Sequence, residues 1–132
     1  MKSISAKITG ALQTGSFIRC IDNSGADMLQ MISLKGYHGV KRRRAAAGIG
    51  DVIVAAVKKG DPKMRHEVVE AVIVRQRMAY RRRSGLRVAF EDNAAVLVNE
   101  RGEPRGTRLK GPIAKEVVER WSAIGKVASM VV

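Results

Sequence analysis

The apolar residues of this chain fall in short Val-, Ile- and Ala-rich runs broken by Gly, Asn and Asp. That punctuation is the spacing of an all-β domain, not of a helical bundle. Strands are expected near Phe17 to Ile21, Met28 to Leu34, Val52 to Val57, Val68 to Arg75, Leu86 to Phe90 and Ala94 to Val98. The fifth alternates, with Leu86, Val88 and Phe90 on one face and Arg87 and Ala89 on the other. Val52 to Val57 does not alternate, which suits a strand covered on both sides or curled into a barrel. Asp22-Asn-Ser-Gly25 should reverse the chain between the first two strands, because these residues bond their own backbone or tolerate a left-handed conformation. Asp92-Asn93 should do the same between the fifth and sixth. A helix is expected only near the end, where Pro112 suits a first helical position and Ile113, Val117, Trp121 and Ile124 recur at helical spacing. Gly125 is placed to stop that helix, and Trp121 reads as its anchor on the barrel.

With 132 residues the chain is expected to form one domain. It carries 25 Lys and Arg against 12 Asp and Glu, a net charge of +13, yet 45% of its residues are hydrophobic, so it is no disordered basic tail. The charge is uneven. Residues 1–34 and 88–132 each carry a net +1, whereas residues 35–87 carry +11. Most of that excess lies in Lys41-Arg-Arg-Arg44 and in the run from Arg75 to Arg83. Adjacent cations repel and contribute nothing to a core, so a solvated face or a polyanion must accommodate them. Two Arg-rich runs in one small domain favour nucleic acid. An anionic membrane fits less well, because neither run forms an amphipathic helix with apolar anchors. Both runs fall between expected strands, on loops or ribbon tips, where cations meet phosphates readily.

No stretch is long enough to span a bilayer, the longest apolar run being Val52 to Val57. Lys2, Ser3, Ser5, Lys7 and Thr9 stand where a secretory signal would be apolar. The single Cys20 can form neither an internal disulfide nor a zinc cluster, and a reducing, cytosolic setting is expected.

Catalytic patterns find little support. His38 and His66 lack further ligands at metal-binding spacing, so no metal or other cofactor is expected. Asn23 interrupts the tripeptide that an aspartic-protease loop would need at Asp22. Glu91 and Asp92, the pair a magnesium-dependent nuclease would use, are adjacent and point to opposite faces if extended. Gly36-Tyr-His-Gly39 lacks the Lys-Ser or Lys-Thr of a phosphate-binding Walker loop, and Gly48-Ile-Gly50 lacks the third glycine of a dinucleotide fingerprint.

Only Phe17, Tyr37, Tyr80, Phe90 and Trp121 are aromatic, too few for a protein that stacks successive single-stranded bases. Tyr37 and Tyr80 lie beside basic runs. Binding should therefore rest on phosphates and shape, and without an Arg-bearing helix for a major groove, folded RNA fits better than duplex DNA. A free-standing RNA chaperone or single-strand binder is the alternative.

The order Asp22-Asn-Ser-Gly-Ala26, Gly48-Ile-Gly-Asp-Val52, Ala71-Val-Ile-Val-Arg75, Phe90-Glu-Asp-Asn-Ala-Ala-Val-Leu-Val98 and Gly106-Thr-Arg-Leu-Lys-Gly-Pro-Ile-Ala-Lys-Glu116 resembles the universal large-subunit ribosomal protein fourteen family. The extended start, Ile4 to Leu12, resembles its archaeal and eukaryotic branch. The resemblance implies a mainly β fold, a small closed five-stranded β-barrel with a C-terminal loop and short helices. The barrel would occupy about residues 1–100 and the C-terminal region about 101–132 of a single domain. It implies a non-enzymatic, cytoplasmic constituent of the ribosome that binds large-subunit RNA and bridges to small-subunit RNA. Large-subunit protein three and an anti-association factor are implied partners, with no membrane or small-molecule substrate.

The expected RNA contacts are Lys41, Arg42, Arg43, Arg44, Lys58, Lys59, Lys63, Arg65, Arg75, Arg77, Tyr80, Arg81, Arg82 and Arg83. The resemblance of Gly106-Thr-Arg108 to a family loop adds Arg105, Thr107 and Arg108.

Overall fold

The computed structural model describes residues 2–132. In chain order its elements are β1 (Leu12–Gln13), β2 (Phe17–Cys20), β3 (Ala26–Leu34), β4 (Ala46–Ala47), β5 (Val52–Gly60), β6 (Val68–Arg75), β7 (Tyr80–Arg81), β8 (Arg87–Val88), β9 (Ala94–Val98), β10 (Pro112–Ile113), α1 (Lys115–Arg120), α2 (Ser122–Val127) and β11 (Met130–Val131). Five of these close into a barrel in the order β2-β3-β5-β6-β9, with a parallel β9–β2 pairing sealing the ring. Register shifts along β3 and at Ile73/Arg75 bend the strands, as closure of so small a ring requires. Small side chains help: Ala55, Ala71 and Ala95 are fully buried beside Ile18, Leu29, Ile53 and Ile73.

β5 alternates after all, with Ile53, Ala55 and Val57 buried and Val52, Val54 and Ala56 half-buried. All five residues of β9 are buried, so it is covered on both faces. The second layer is the C-terminal segment, whose Leu109, Ile113, Ala114, Val117 and Ile124 belong to the same hydrophobic cluster as the barrel core. Lys110 N–H donates to Ile21 O at 2.9 Å and Ala114 N–H to Val74 O at 3.3 Å, fastening the segment to the barrel wall. Among the described residues no helix is long and apolar enough to cross a membrane.

Two expected elements are corrected. Leu86 to Phe90 is no barrel strand. Only Arg87–Val88 is extended, paired with Tyr80–Arg81 in a ribbon outside the ring, and Leu86 is 66% exposed. Gly85, at φ +93, turns the ribbon immediately before it, and the unpaired Arg83 and Arg87 on either side stay out of an apolar core.

The single C-terminal helix is instead two short ones. Pro112 and Ile113 are drawn into extended pairing with β11, where Ile113 O accepts Val132 N–H at 2.9 Å. Trp121 then breaks the helical path at φ −123 and ψ 79. Its indole N–H donates to Gly50 O at 2.9 Å, the anchoring role read from the sequence. Gly125 lies within α2, where a Cβ would come within 2.6 Å of Val118, so it permits close approach of the helices and ends neither.

Candidate nucleic-acid interface

The barrel sorts the expected contacts into two groups at its opposite ends. At one end, the β2–β3 turn, the β5–β6 loop and the 105–108 loop converge. Asp22 shapes the turn: its Oδ1 accepts Ser24 N–H at 3.2 Å while Oδ2 accepts Leu97 N–H from β9 at 3.0 Å. Asn23 holds the 105–108 loop. Its Oδ1 accepts Thr107 N–H at 2.9 Å and Arg108 N–H at 3.3 Å, and its Nδ2 donates to Thr107 Oγ1 at 2.9 Å. Gly106 must be glycine there, since a Cβ would stand 2.7 Å from Asn23 Oδ1.

Asp61 N–H donates to Gly25 O at 2.9 Å, bringing the β5–β6 loop onto the same turn. Lys58, Lys59, Lys63, Arg65, Arg105, Thr107 and Arg108 are all exposed at this end. Arg105 pairs with Glu67 at 3.3 Å and Arg65 Nη2 donates to Gly60 O at 3.3 Å. The Thr107 hydroxyl oxygen accepts from Asn23 Nδ2, which leaves its O–H available as a donor.

About 26 Å of extended chain along β5 separates this end from the other. There the two Arg-rich connections leave the barrel, and the N-terminal segment lies between them. Leu12 pairs with Ala47 on one side and Lys7 with Arg81 on the other. Gln76, fully buried, donates to Thr9 O at 3.2 Å and to Met78 O at 2.9 Å and accepts Ile49 N–H at 3.1 Å. One side chain thus satisfies backbone groups of three segments that have no sheet partners there.

Lys41, Arg42, Arg43 and Arg44 are exposed on the first connection. Arg43 N–H donates to Val40 O at 3.0 Å, closing a turn in which Arg42 adopts φ +66. None of the five ion pairs among the described residues involves them. On the second, Arg77, Arg81 and Arg83 are exposed.

Three residues of the second run face inward instead. Tyr80 is 1% exposed, and its hydroxyl donates to Glu116 Oε2 at 2.8 Å, so it cannot stack on a base. Burial and this bond raise the Tyr80 phenol above its ordinary range. Arg82 pairs with the fully buried Glu116 at 2.8 Å. Arg75, 7% exposed, clamps Asp92 and donates to Lys110 O and Pro112 O, both at 3.1 Å. Counting cations in the sequence cannot separate these from their neighbours, because the acids that take them lie 17 and 34 residues away.

The register also adds cations that composition did not single out. Lys7 lies opposite Arg81, and Arg81 opposite Arg87, so three exposed cations stand in a row across three adjacent extended segments. Directly opposed like charges destabilise a ribbon, so this row favours an anionic partner. Arg19, exposed on β2, is a further one. Among the described residues no three His, Cys, Asp or Glu side chains are grouped to hold a metal ion.

Residues 11–132 match the family model described as ribosomal protein L14p/L23e. The chain is 51% identical over its full 132 residues to the large ribosomal subunit protein uL14 of Methanocorpusculum labreanum and 53% identical to that of Halobacterium salinarum, in each case covering all of the relative. A barrel with cationic loops at both ends, joined to relatives of the same length matched from end to end, places this chain in the ribosomal protein L14p/L23e family.

Proposed function

We propose that this chain is a non-enzymatic structural constituent of the large ribosomal subunit whose barrel holds two cationic ends against ribosomal RNA. The observation that carries the reading is the row Lys7–Arg81–Arg87, three like charges aligned without a carboxylate between them. A polyanion converts that repulsion into binding. Lys41 to Arg44, Arg77 and Arg83 extend this end. Lys58, Lys59, Lys63, Arg65, Arg105 and Arg108 form the other. Two cationic ends separated by a rigid barrel suit a protein that lies where RNA helices converge. We assign it to the subunit interface, with large-subunit RNA as main ligand and a bridge to small-subunit RNA. Large-subunit protein three, met along the C-terminal segment, and an anti-association factor are the protein partners in this reading. The shared core of barrel and C-terminal segment supports a single folding unit among the described residues.

The test is sucrose-gradient sedimentation of cell extract in moderate and then high salt. Comigration with large subunits through the high-salt wash is expected, and a chain that stays at the top of the gradient overturns the reading. With about eight bases on phosphates, affinity of the purified protein for large-subunit RNA should fall with a log–log salt slope of about −6 to −7. A slope near zero would remove the phosphate account. Burial of Tyr80 argues against the single-strand binder, which needs exposed rings.

A further inference from the structure

The cationic ends leave one mixed-charge site unexplained. Beside the start of β9 lies a cleft of about 540 Å³, within the usual range for small-ligand sites, lined by Arg19, Arg75, Phe90, Glu91, Asp92 and Pro112 among others. Ala94 sits opposite both Arg19 of β2 and Arg75 of β6, so the barrel register itself brings the two guanidiniums to this place. Arg75 is buried and forks onto Asp92. Its Nη2 donates to Oδ2 at 3.0 Å, while Nε stands 2.9 Å from Oδ1 but off the angle a hydrogen bond needs, leaving Nε without a hydrogen-bond partner. Asp92 is thereby fixed in place with its side chain still 34% exposed. Glu91 is exposed, in none of the five ion pairs, and so is Arg19.

We propose that this cleft receives a guanine base turned out of an RNA loop. The proposal rests on the RNA-binding reading above and adds a base-specific site to it. Carboxylates repel phosphates, so on an RNA-facing surface the unpaired Glu91 needs a partner with N–H groups. Guanine presents two adjacent donors, N1–H and N2–H2, on one edge, and a carboxylate accepts both side by side. Adenine offers an acceptor at N1, and uracil and cytosine each offer a single donor group on that edge. Glu91, exposed and in no ion pair, supplies the pair of oxygens, and Asp92, whose two oxygens already face Arg75, offers one remaining lone pair at the rim. Phe90 and Pro112, both half-buried, give the flat apolar wall on which an unstacked base lies. Arg19 meets the phosphate of the same nucleotide, which the two acids would otherwise repel.

The full-length protein is titrated separately with GMP, AMP, CMP and UMP at one ionic strength while amide resonances of Ala89 to Asn93 are followed by NMR. All four carry the same phosphate, so differences report the base. Saturable shifts at these amides with GMP, at least fivefold tighter than with AMP, are expected, and Glu91→Gln should reduce that preference to less than twofold. Equal responses to all four nucleotides, or shifts confined to the Arg-rich loops, overturn the proposal. A stronger response to arginine amide than to GMP also overturns it, in favour of a basic protein side chain as occupant. Large-subunit RNA affinity and its salt slope are measured alongside. If they persist while GMP fails, the base site alone is lost; if they vanish too, the RNA reading falls with it.

Discussion

Glu116, fully buried at the start of α1, holds Arg82 of the basic ribbon, with Oε1 to Nε at 2.8 Å. Desolvation works against the Arg82 charge, but its bonds to Glu116 and Tyr80 outweigh that and hold its pKa above the ordinary value. Arg82 Nη2 also donates to Val132 O at 2.7 Å. One guanidinium thus ties the ribbon to a helix and to β11's neighbour in the chain, while Arg81 and Arg83 on either side stay exposed. The Arg81 to Arg83 run therefore divides into one structural and two surface residues.

Removing one partner of that pair leaves a buried charge uncompensated. Arg82→Gln or Glu116→Gln should each lower folding stability by about 3 kcal/mol, read from denaturant midpoints. Arg81→Gln and Arg83→Gln should change stability by less than about 0.5 kcal/mol while weakening RNA binding. The double variant Arg82→Met with Glu116→Leu should recover most of the lost stability, because no charge is then left alone in the interior. Equal destabilisation by all three single arginine changes would contradict this division.

Arg42 separates fold from binding in a different way. At φ +66 a side chain is strained, and glycine relieves the strain, so Arg42→Gly should leave the unfolding midpoint unchanged or raise stability by up to about 1 kcal/mol. If Arg42 neutralises one phosphate, the log–log salt slope for RNA should shrink by about 0.7 to 0.9. A variant that folds better yet binds with an unchanged slope would remove Arg42 from the interface.

Five of the six expected strands lie in the barrel with nearly the boundaries read from the sequence, and Val68 to Arg75 and Ala94 to Val98 have their bounds unchanged. Their apolar runs are local, and local signals are legible. Leu86 to Phe90 misled because alternation over five residues reports an extended chain, not which sheet it joins. The helix over Ile113 to Ile124 misled because β11 captures the backbone at Ile113, a contact no periodicity encodes. The candidate interface was legible as charge and illegible as geometry. Arg81 and Arg82 are equivalent in the sequence, and only Glu116, brought in by the fold, distinguishes them.

Asn23 should be the residue that positions the 105–108 loop. Asn23→Ala removes its three hydrogen bonds to that loop, and a loss of about 1 to 3 kcal/mol is expected. The more specific readout is amide hydrogen exchange, which should accelerate at Thr107 and Arg108 while β5 and β6 remain protected. RNA affinity should fall as well, because Arg105 and Arg108 lose their fixed placement. Unchanged exchange at Thr107 would show that the loop holds itself.

Alkaline pH should destabilise this protein through Cys20. Burial, then the nearby Asp22 carboxylate, push the thiol from its ordinary 9.0 up to about 12. Its Sγ–H donates to Asp22 Oδ1 at 3.1 Å, a bond the thiolate cannot make. Between these two values the unfolded chain releases the proton and the folded chain retains it, so the unfolded state gains stability as pH rises. The stabilisation is complete below about pH 9 and is lost on the way to about 12, amounting to roughly 4 kcal/mol over the full window. Tyr80, raised for the same physical reason, acts in the same direction. Urea midpoints measured from about pH 7.5 to 10.5 should therefore fall, and Cys20→Ala should flatten that fall while costing about 1 kcal/mol at neutral pH. An identical pH profile in the Cys20→Ala variant would show that the thiol does not carry the effect.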